Sequence, residues 1–198
     1  NHLEFKEINK KKINAKWFYF SSMVGKSFET LEDLAKFAQK NNIKIAFNPS
    51  NYLAEKGYLY LKEIMTRTEI LILNKEEAWL IAGKLEIHDL IKKLMVLGPK
   101  IVVITDGKNG AYTFSKNLVH VKTTGVKTRE TTGAGDAFAS TFLAGYIMNK
   151  NIDECMRMAC LNAESVITNI GAKSGLLSYK ELKNRLSKSK TKIEHLKA

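Results

Sequence analysis

Short apolar runs alternate along the chain with longer segments in which apolar residues recur every three or four positions. The short runs predict buried strands at 17–20, 43–47, 70–73 and 101–105. The longer segments predict helices at 30–40, 59–67, 75–82, 87–97, 137–148, 152–168 and 179–186. This alternation predicts an α/β fold, a mainly parallel sheet with helices on both faces.

Two further apolar runs, at 111–114 and 118–121, are separated by a Lys-Asn turn. They predict an antiparallel hairpin at an edge of the sheet. A basic, serine-containing run closes the chain and is typical of a solvated helix end. We therefore expect one domain over 1–186 and a basic tail over 187–198.

A cluster of small residues and one carboxylate stands in front of the most apolar predicted helix, in the segment Thr131-Thr132-Gly133-Ala134-Gly135-Asp136. The N–H groups of the first helical turn lack partners inside the helix, and the peptide dipoles make this end positive. Glycines at this point let an anion approach those N–H groups closely. The same residues also fit a plain helix start, capped by Thr132 or Asp136 and preceded by a tight glycine turn.

The stretch 131–138 resembles the C-terminal motif of the ribokinase-like carbohydrate kinases, the phosphofructokinase-B family. Three other stretches resemble that family in the same order: Asn48-Pro49, the Asn-x-x-Glu motif at 74–77, and the strand and turn at 103–110. Four ordered matches are more specific than one. The resemblance implies a ribokinase-like fold and ATP-dependent phosphorylation of an alcohol group of a sugar, sugar acid or nucleoside. Because ligands bind at the carboxyl ends of strands in α/β sheets, the motif regions are expected to converge.

The resemblance also implies roles for individual residues. Asp136 would be the general base, and the backbone N–H groups of the Gly133, Ala134, Gly135 and Asp136 turn would form an anion hole. Residues expected to contact the nucleotide are Asn74, Thr105, Asp106, Gly107, Gly110 and Cys160. The plain alternative for the glycines at 107 and 110 is an ordinary turn.

Two cation sites are implied as well. Asn74 and Glu77 would orient Mg²⁺ and the phosphates, mainly through waters. They fit equally well a helix N-cap and its capping-box partner. Residues on the family's monovalent-cation loops are Glu130, Thr132, Val166, Asn169 and Gly171. The expected cofactors are therefore ATP and Mg²⁺. Activation by K⁺ is left undecided, because Glu130 is longer than the Asp that is usual at this position.

A rival nucleotide motif lies earlier in the chain, where Gly25-Lys26-Ser27 follows a strand and precedes a helix. A phosphate loop needs a second glycine five positions before Gly25, to make the turn that points N–H groups at the phosphates. The sequence has Phe20 there. We therefore interpret Lys26 as a surface residue.

Composition narrows the remaining classes of function. The net charge is +12, but the lysines are spread over helices and loops, so a nucleic-acid partner is not expected. No run approaches the roughly 18 apolar residues that span a bilayer, so a cytoplasmic protein without a membrane partner is expected. Cys155 and Cys160 lie on different faces of one predicted helix, which argues against a disulfide between them.

The chain starts at Asn1, and the Gly-Gly sugar motif and lid that the resemblance would place in an N-terminal portion are not found in it. We therefore expect an incomplete kinase domain whose small-molecule acceptor, a sugar or nucleoside, cannot be read from the sequence. The alternative is a non-catalytic module that binds nucleotide or a partner. A homodimer is also left open by the resemblance.

Overall fold

The computed structural model describes residues 2–189 and 191–196, and its chain divides into two compact units, Asn1–Ile104 and Thr105–Ala198. The strands are β1 (Trp17–Phe20), β2 (Lys44–Phe47), β3 (Ile70–Asn74), β4 (Ile101–Thr105), β5 (Ala111–Phe114), β6 (Leu118–Val121) and β7 (Ile193–Leu196). The helices are α1 (Lys26–Lys40), α2 (Asn51–Ala54), α3 (Gly57–Met65), α4 (Lys75–Ala82), α5 (Ile87–Val96), α6 (Ala134–Ile147), α7 (Ile152–Ile167) and α8 (Tyr179–Lys188). Short 3-10 turns lie at Phe5–Glu7, Lys10–Lys12 and Gly107–Asn109.

In the first unit the strands lie in the order β1-β2-β3-β4. Strand β1 pairs in parallel with β2, and β2 pairs in parallel with β3. Residues Ile70 to Leu73 of β3 are at most 2% exposed, as expected for a parallel strand that is covered on both faces. The predicted α/β class and its parallel strands are confirmed.

Helix α1 starts earlier than predicted, at Lys26, and Gly25 precedes it with φ +57°. A backbone N–H of the N-terminal segment, that of Leu3, donates to Ser27 Oγ at 3.0 Å. Phe20 ends β1 as a buried side chain, 4% exposed. The segment therefore lacks the glycine turn of a phosphate loop and serves as a helix start.

The second unit contains the predicted hairpin, with β5 and β6 paired antiparallel. The expectation that this hairpin lies at the sheet edge is incomplete, because β7 pairs antiparallel with the other side of β6. The expectation of a solvated helix end is wrong for the segment 193–196. Helix α8 ends at Lys188, and the chain then returns to extend the hairpin to three strands.

Helices α6 and α7 pack closely in the second unit. A Cβ added at Gly145 would lie 3.1 Å from Cys155 Sγ, so glycine allows this approach. The buried Asn162 amide donates to Thr141 Oγ1 at 2.7 Å. Cys155 and Cys160 are both free, buried thiols, and burial raises the pKa of Cys155 to about 11.

No helix within 2–189 and 191–196 combines enough length with enough apolar character to cross a bilayer.

Candidate active site

The start of α6 lies at the centre of the candidate site. Gly133 is the residue before the helix and has φ +82°, in the left-handed region that glycine favours. A Cβ at Gly133 would lie 2.2 Å from the Ala172 carbonyl oxygen, so the backbone is tightly packed here. None of the described side chains caps the helix, which rules out the plain reading in which Thr132 or Asp136 satisfies its first N–H groups.

The first turn of α6 leaves its backbone partly open. Ala134 N donates to the Thr131 carbonyl oxygen at 3.2 Å, whereas Gly135 and Asp136 belong to the turn whose N–H groups lack helical partners. A Cβ added at Gly135 would meet nothing within 4 Å, so the space beside this residue is open. The N-terminus of α6 therefore offers a small, positively polarised surface suited to an anion.

Asp136 is exposed in that same first turn. Its carboxylate has no hydrogen bond or ion pair with any side chain in the described ranges, while its carbonyl oxygen accepts from Ser140 Oγ at 2.7 Å. A carboxylate here is favoured by the positive end of the helix. Because it makes no hydrogen bond or ion pair there, it is available to a ligand.

A cavity of about 270 Å³ lies beside this helix start, within the second unit. The predicted residues that line it are Thr105, Gly107, Gly110, Ala134, Gly135 and Cys160. Asp106 and Asp136 are not among the lining residues; Asp106 Oδ2 accepts from Asn109 Nδ2 at 3.1 Å. The structure therefore brings the turn after β4, the start of α6 and one face of α7 to one cavity.

The turn after β4 is held by close backbone contacts. Gly110 has φ +93°, and a Cβ there would lie 1.9 Å from the Val121 carbonyl oxygen. The buried His120 ring donates through Nε2 to the Asn109 carbonyl oxygen at 2.7 Å. These contacts explain why glycine is needed at Gly110, and they fix the turn that lines the cavity.

Other residues that line the cavity were missed by the sequence analysis: Thr123, Gly125, Val126 and Thr128 from the loop after β6, Phe138 from α6, and Glu164 from α7. Glu164 is only 5% exposed and accepts from both the N–H and the hydroxyl of Thr124. Burial raises the pKa of the Cys160 thiol to about 12, and the nearby Glu164 carboxylate adds to this. The sequence did contain a signal for Glu164, because an acidic residue stands one helical turn after Cys160 on the apolar face of the predicted helix.

The residues expected at a monovalent-cation site also lie in the second unit. Gly171 N donates to Glu130 Oε2 at 2.8 Å. This bond, followed by one from Thr132, lowers the pKa of the Glu130 carboxyl. Asn169 Nδ2 donates to the Ser165 carbonyl oxygen at 2.8 Å, and Val166 is buried in α7. Thus Glu130, Thr132 and Gly171 come together, while Asn169 and Val166 support the loop.

Asn74 and Glu77 belong to the first unit, where they form the capping box of α4. Glu77 N donates to Asn74 Oδ1 at 2.8 Å, and Asn74 N donates to Glu77 Oε2 at 2.9 Å. Burial raises the pKa of Glu77, which is 7% exposed. The capping interpretation is confirmed, while convergence of this motif with the cavity stays a prediction. No cluster of three or more His, Cys, Asp or Glu side chains suited to a metal occurs in the described part of the chain.

Comparison with known proteins adds independent evidence on the class of this α/β protein. The nucleoside kinase of Methanocaldococcus jannaschii, an archaeal member of the ribokinase family, has a similar structure with a TM-score of 0.77 at 23% identity, over 93% of this chain and 60% of that one. A putative ribokinase II from E. coli, solved in complex with ATP and Mg²⁺, gives a TM-score of 0.78 at 20% identity, over 88% and 59% of the two chains. These similarities show a ribokinase-type fold.

The sequence itself then identifies the family. Residues 2–178 match the pfkB family carbohydrate kinases, and the chain belongs to that family. The cytidine kinase of Thermococcus kodakarensis is 32% identical over 165 residues, which are 80% of this chain and 58% of that protein. The chain thus spans a little over half the length of this curated relative.

Proposed function

We propose that this chain is the nucleotide-binding and catalytic part of a kinase that transfers a phosphoryl group from Mg·ATP to an alcohol group of a sugar or nucleoside. The observation that carries the proposal is the uncapped start of α6 beside the cavity, with the unused Asp136 carboxylate in its first turn. Family membership supports the same chemistry.

The site has the donors that a phosphate chain requires. The first-turn N–H groups at Gly135 and Asp136 are polarised by the helix and are not covered by a side chain. Lys108 also lines the cavity and adds a positive charge. ATP, when bound, supplies the phosphoryl group and Mg²⁺ offsets its charge, while the polypeptide contributes mainly position and electrostatic stabilisation.

Asp136 acts as general base in this proposal. An exposed carboxylate without a structural partner can accept the proton of an acceptor hydroxyl as the new phosphate ester bond forms. Its position in the first turn of α6 places it on the same element as the phosphate-binding N–H groups. Proton acceptance and charge stabilisation would therefore be provided by a single helix start.

The cation roles follow from the motifs. Glu77, with Asn74, would orient Mg²⁺ and the phosphates through waters, in addition to capping α4. Glu130, Thr132 and Gly171 would support K⁺ near the start of α6. The proposed acceptor is a sugar or a nucleoside. Two proteins similar to this chain are a cytidine kinase and a nucleoside kinase, whereas the family model is that of carbohydrate kinases.

The test is phosphoryl transfer from Mg·ATP to a panel of sugars and nucleosides, comparing wild type with Asp136→Asn. We expect kcat to fall by about 10²–10⁴ in the variant, the usual contribution of a general base. The melting temperature and nucleotide affinity should stay close to wild type, because the side chain has no partner in the described ranges.

The control is Asp153→Asn, which removes a carboxylate from the first turn of the neighbouring helix α7, where it pairs with His195 at 2.9 Å. It should leave kcat within about threefold of wild type. A loss of less than about tenfold in Asp136→Asn would refute the general-base role. Nucleotide binding without transfer to any acceptor would favour a non-catalytic module instead.

A further inference from the structure

Residues 122–128, here called the cavity loop, connect β6 towards α6 without regular secondary structure, yet they form much of the cavity wall. Two threonines tie this loop to other elements. Thr123 Oγ1 donates to the Lys108 carbonyl oxygen at 2.8 Å, in the turn after β4. The next residue, Thr124, donates to Glu164 on α7.

The tie to Glu164 uses both carboxylate oxygens. Thr124 N donates to Oε1, and Thr124 Oγ1 donates to Oε2 at 3.0 Å. The two residues are 40 positions apart, so the contact joins distant parts of the second unit. Hydrogen bonds to an ionised acceptor are stronger than those between neutral groups.

Apart from these two hydrogen bonds, the surroundings of the Glu164 side chain do not favour a negative charge. It is 5% exposed, and no Lys, Arg or His in the described ranges forms an ion pair with it. Burying an unpaired carboxylate is costly unless hydrogen bonds compensate it. It is also the sole acidic residue among the described residues that line the cavity. Both donors of Thr124 are accepted at once, one by each carboxylate oxygen, and a neutral glutamine has only one acceptor oxygen for them.

We propose that Glu164 is a positioning residue for nucleotide binding: by clamping Thr124 it fixes the cavity loop, and through Thr123 the turn after β4, in the shape that receives the nucleotide. This inference rests on the proposed function. In the clamped state, Thr123 and Thr124 anchor adjacent points of the loop to two different walls of one cavity. Release of Glu164 would therefore loosen both walls.

The test combines hydrogen exchange of the cavity loop with calorimetric titration of Mg·ADP. Variants are Glu164→Ala, Glu164→Gln, Thr124→Val and the double variant Thr124→Val with Glu164→Gln. Glu164→Gln keeps the shape of the side chain but has one acceptor oxygen instead of two, so it decides the question if the alanine variant does not fold. Glu29→Gln, an exposed carboxylate on α1, controls for the loss of charge.

We expect faster exchange at 122–128 and about tenfold weaker Mg·ADP binding in Glu164→Gln, with a larger loss in Glu164→Ala. The double variant should bind about as well as Glu164→Gln alone, since residues in one network are not additive. Wild-type exchange and affinity in both Glu164 variants, or additive effects in the double variant, would overturn the positioning role.

The same experiment separates this inference from the proposed function. If wild type does not bind Mg·ADP, the proposed function fails, and the positioning role fails with it. If wild type binds and the Glu164 variants bind equally well with unchanged loop exchange, the positioning role alone fails.

Discussion

Single residues in this chain carry both structural and chemical roles, and Glu77 shows how the two can be separated. Its side chain accepts from Asn74 N in the capping box of α4, and it is buried. Glutamine can make the same capping bond, because only a side-chain oxygen is needed. A role with Mg²⁺ and phosphates, in contrast, depends on the negative charge.

We therefore predict that Glu77→Gln leaves the melting temperature within about 2 °C of wild type but lowers kcat with Mg·ATP at least about tenfold. Burial raises the pKa of Glu77, so removing the charge also removes a desolvation cost. The measurements are thermal unfolding and steady-state transfer. Glu76→Gln, at the adjacent exposed position, should change neither; unaltered kcat in Glu77→Gln would assign Glu77 to capping alone.

At the scale of elements, the start of α6 depends on two glycines for different reasons. Gly133 has φ +82° and lies against the Ala172 backbone, whereas Gly135 lies in the helix with clear space around it. We predict that Gly133→Ala destabilises the protein by about 2–4 kcal/mol, since both backbone strain and a clash are introduced. Gly135→Ala should stabilise it by up to about 1 kcal/mol, because alanine favours the helix.

Urea unfolding measures both changes in free energy. Equal destabilisation by the two substitutions would contradict the described geometry. A Gly135→Ala variant at least as stable as wild type would show that the fold tolerates a side chain at this position. Any loss of nucleotide affinity at that position can then be attributed to the site.

Elements with a strong local pattern could be predicted from the sequence. The helix Lys75–Ala82 and the strands Ile101–Thr105, Ala111–Phe114 and Leu118–Val121 have the predicted bounds. Strand β7 was missed because its four residues have no apolar run, and their extended state depends on pairing with β6. Helix α6 begins three residues before its predicted start, because small residues conceal the first turn.

The candidate site was predictable to a similar degree. Its glycines and Asp136 were found from a local motif, and six predicted residues do line one cavity. Glu164 and Thr124 were missed because their contact spans 40 positions and neither residue belongs to a motif. Contacts between distant segments depend on tertiary packing, which a local pattern does not encode.

At the scale of the whole molecule, the net charge of +12 makes control of ionic strength necessary in any nucleotide titration. Non-specific attraction of phosphates to lysines weakens with salt, whereas a partly buried site built on backbone N–H groups is screened less. Titrations should therefore be made at physiological ionic strength.

Calorimetric titration of Mg·ADP into wild type and Gly135→Val tests whether the phosphates bind at the start of α6. We place the phosphates at the start of α6, where a valine side chain would occupy the open space beside Gly135, which lines the cavity. Ala144→Val, at an exposed position later in the same helix, is the matched control. We predict that wild type and Ala144→Val bind alike and that Gly135→Val binds at least about tenfold more weakly, while all three remain folded. Unchanged affinity in Gly135→Val would show that the phosphates bind elsewhere and would contradict the account.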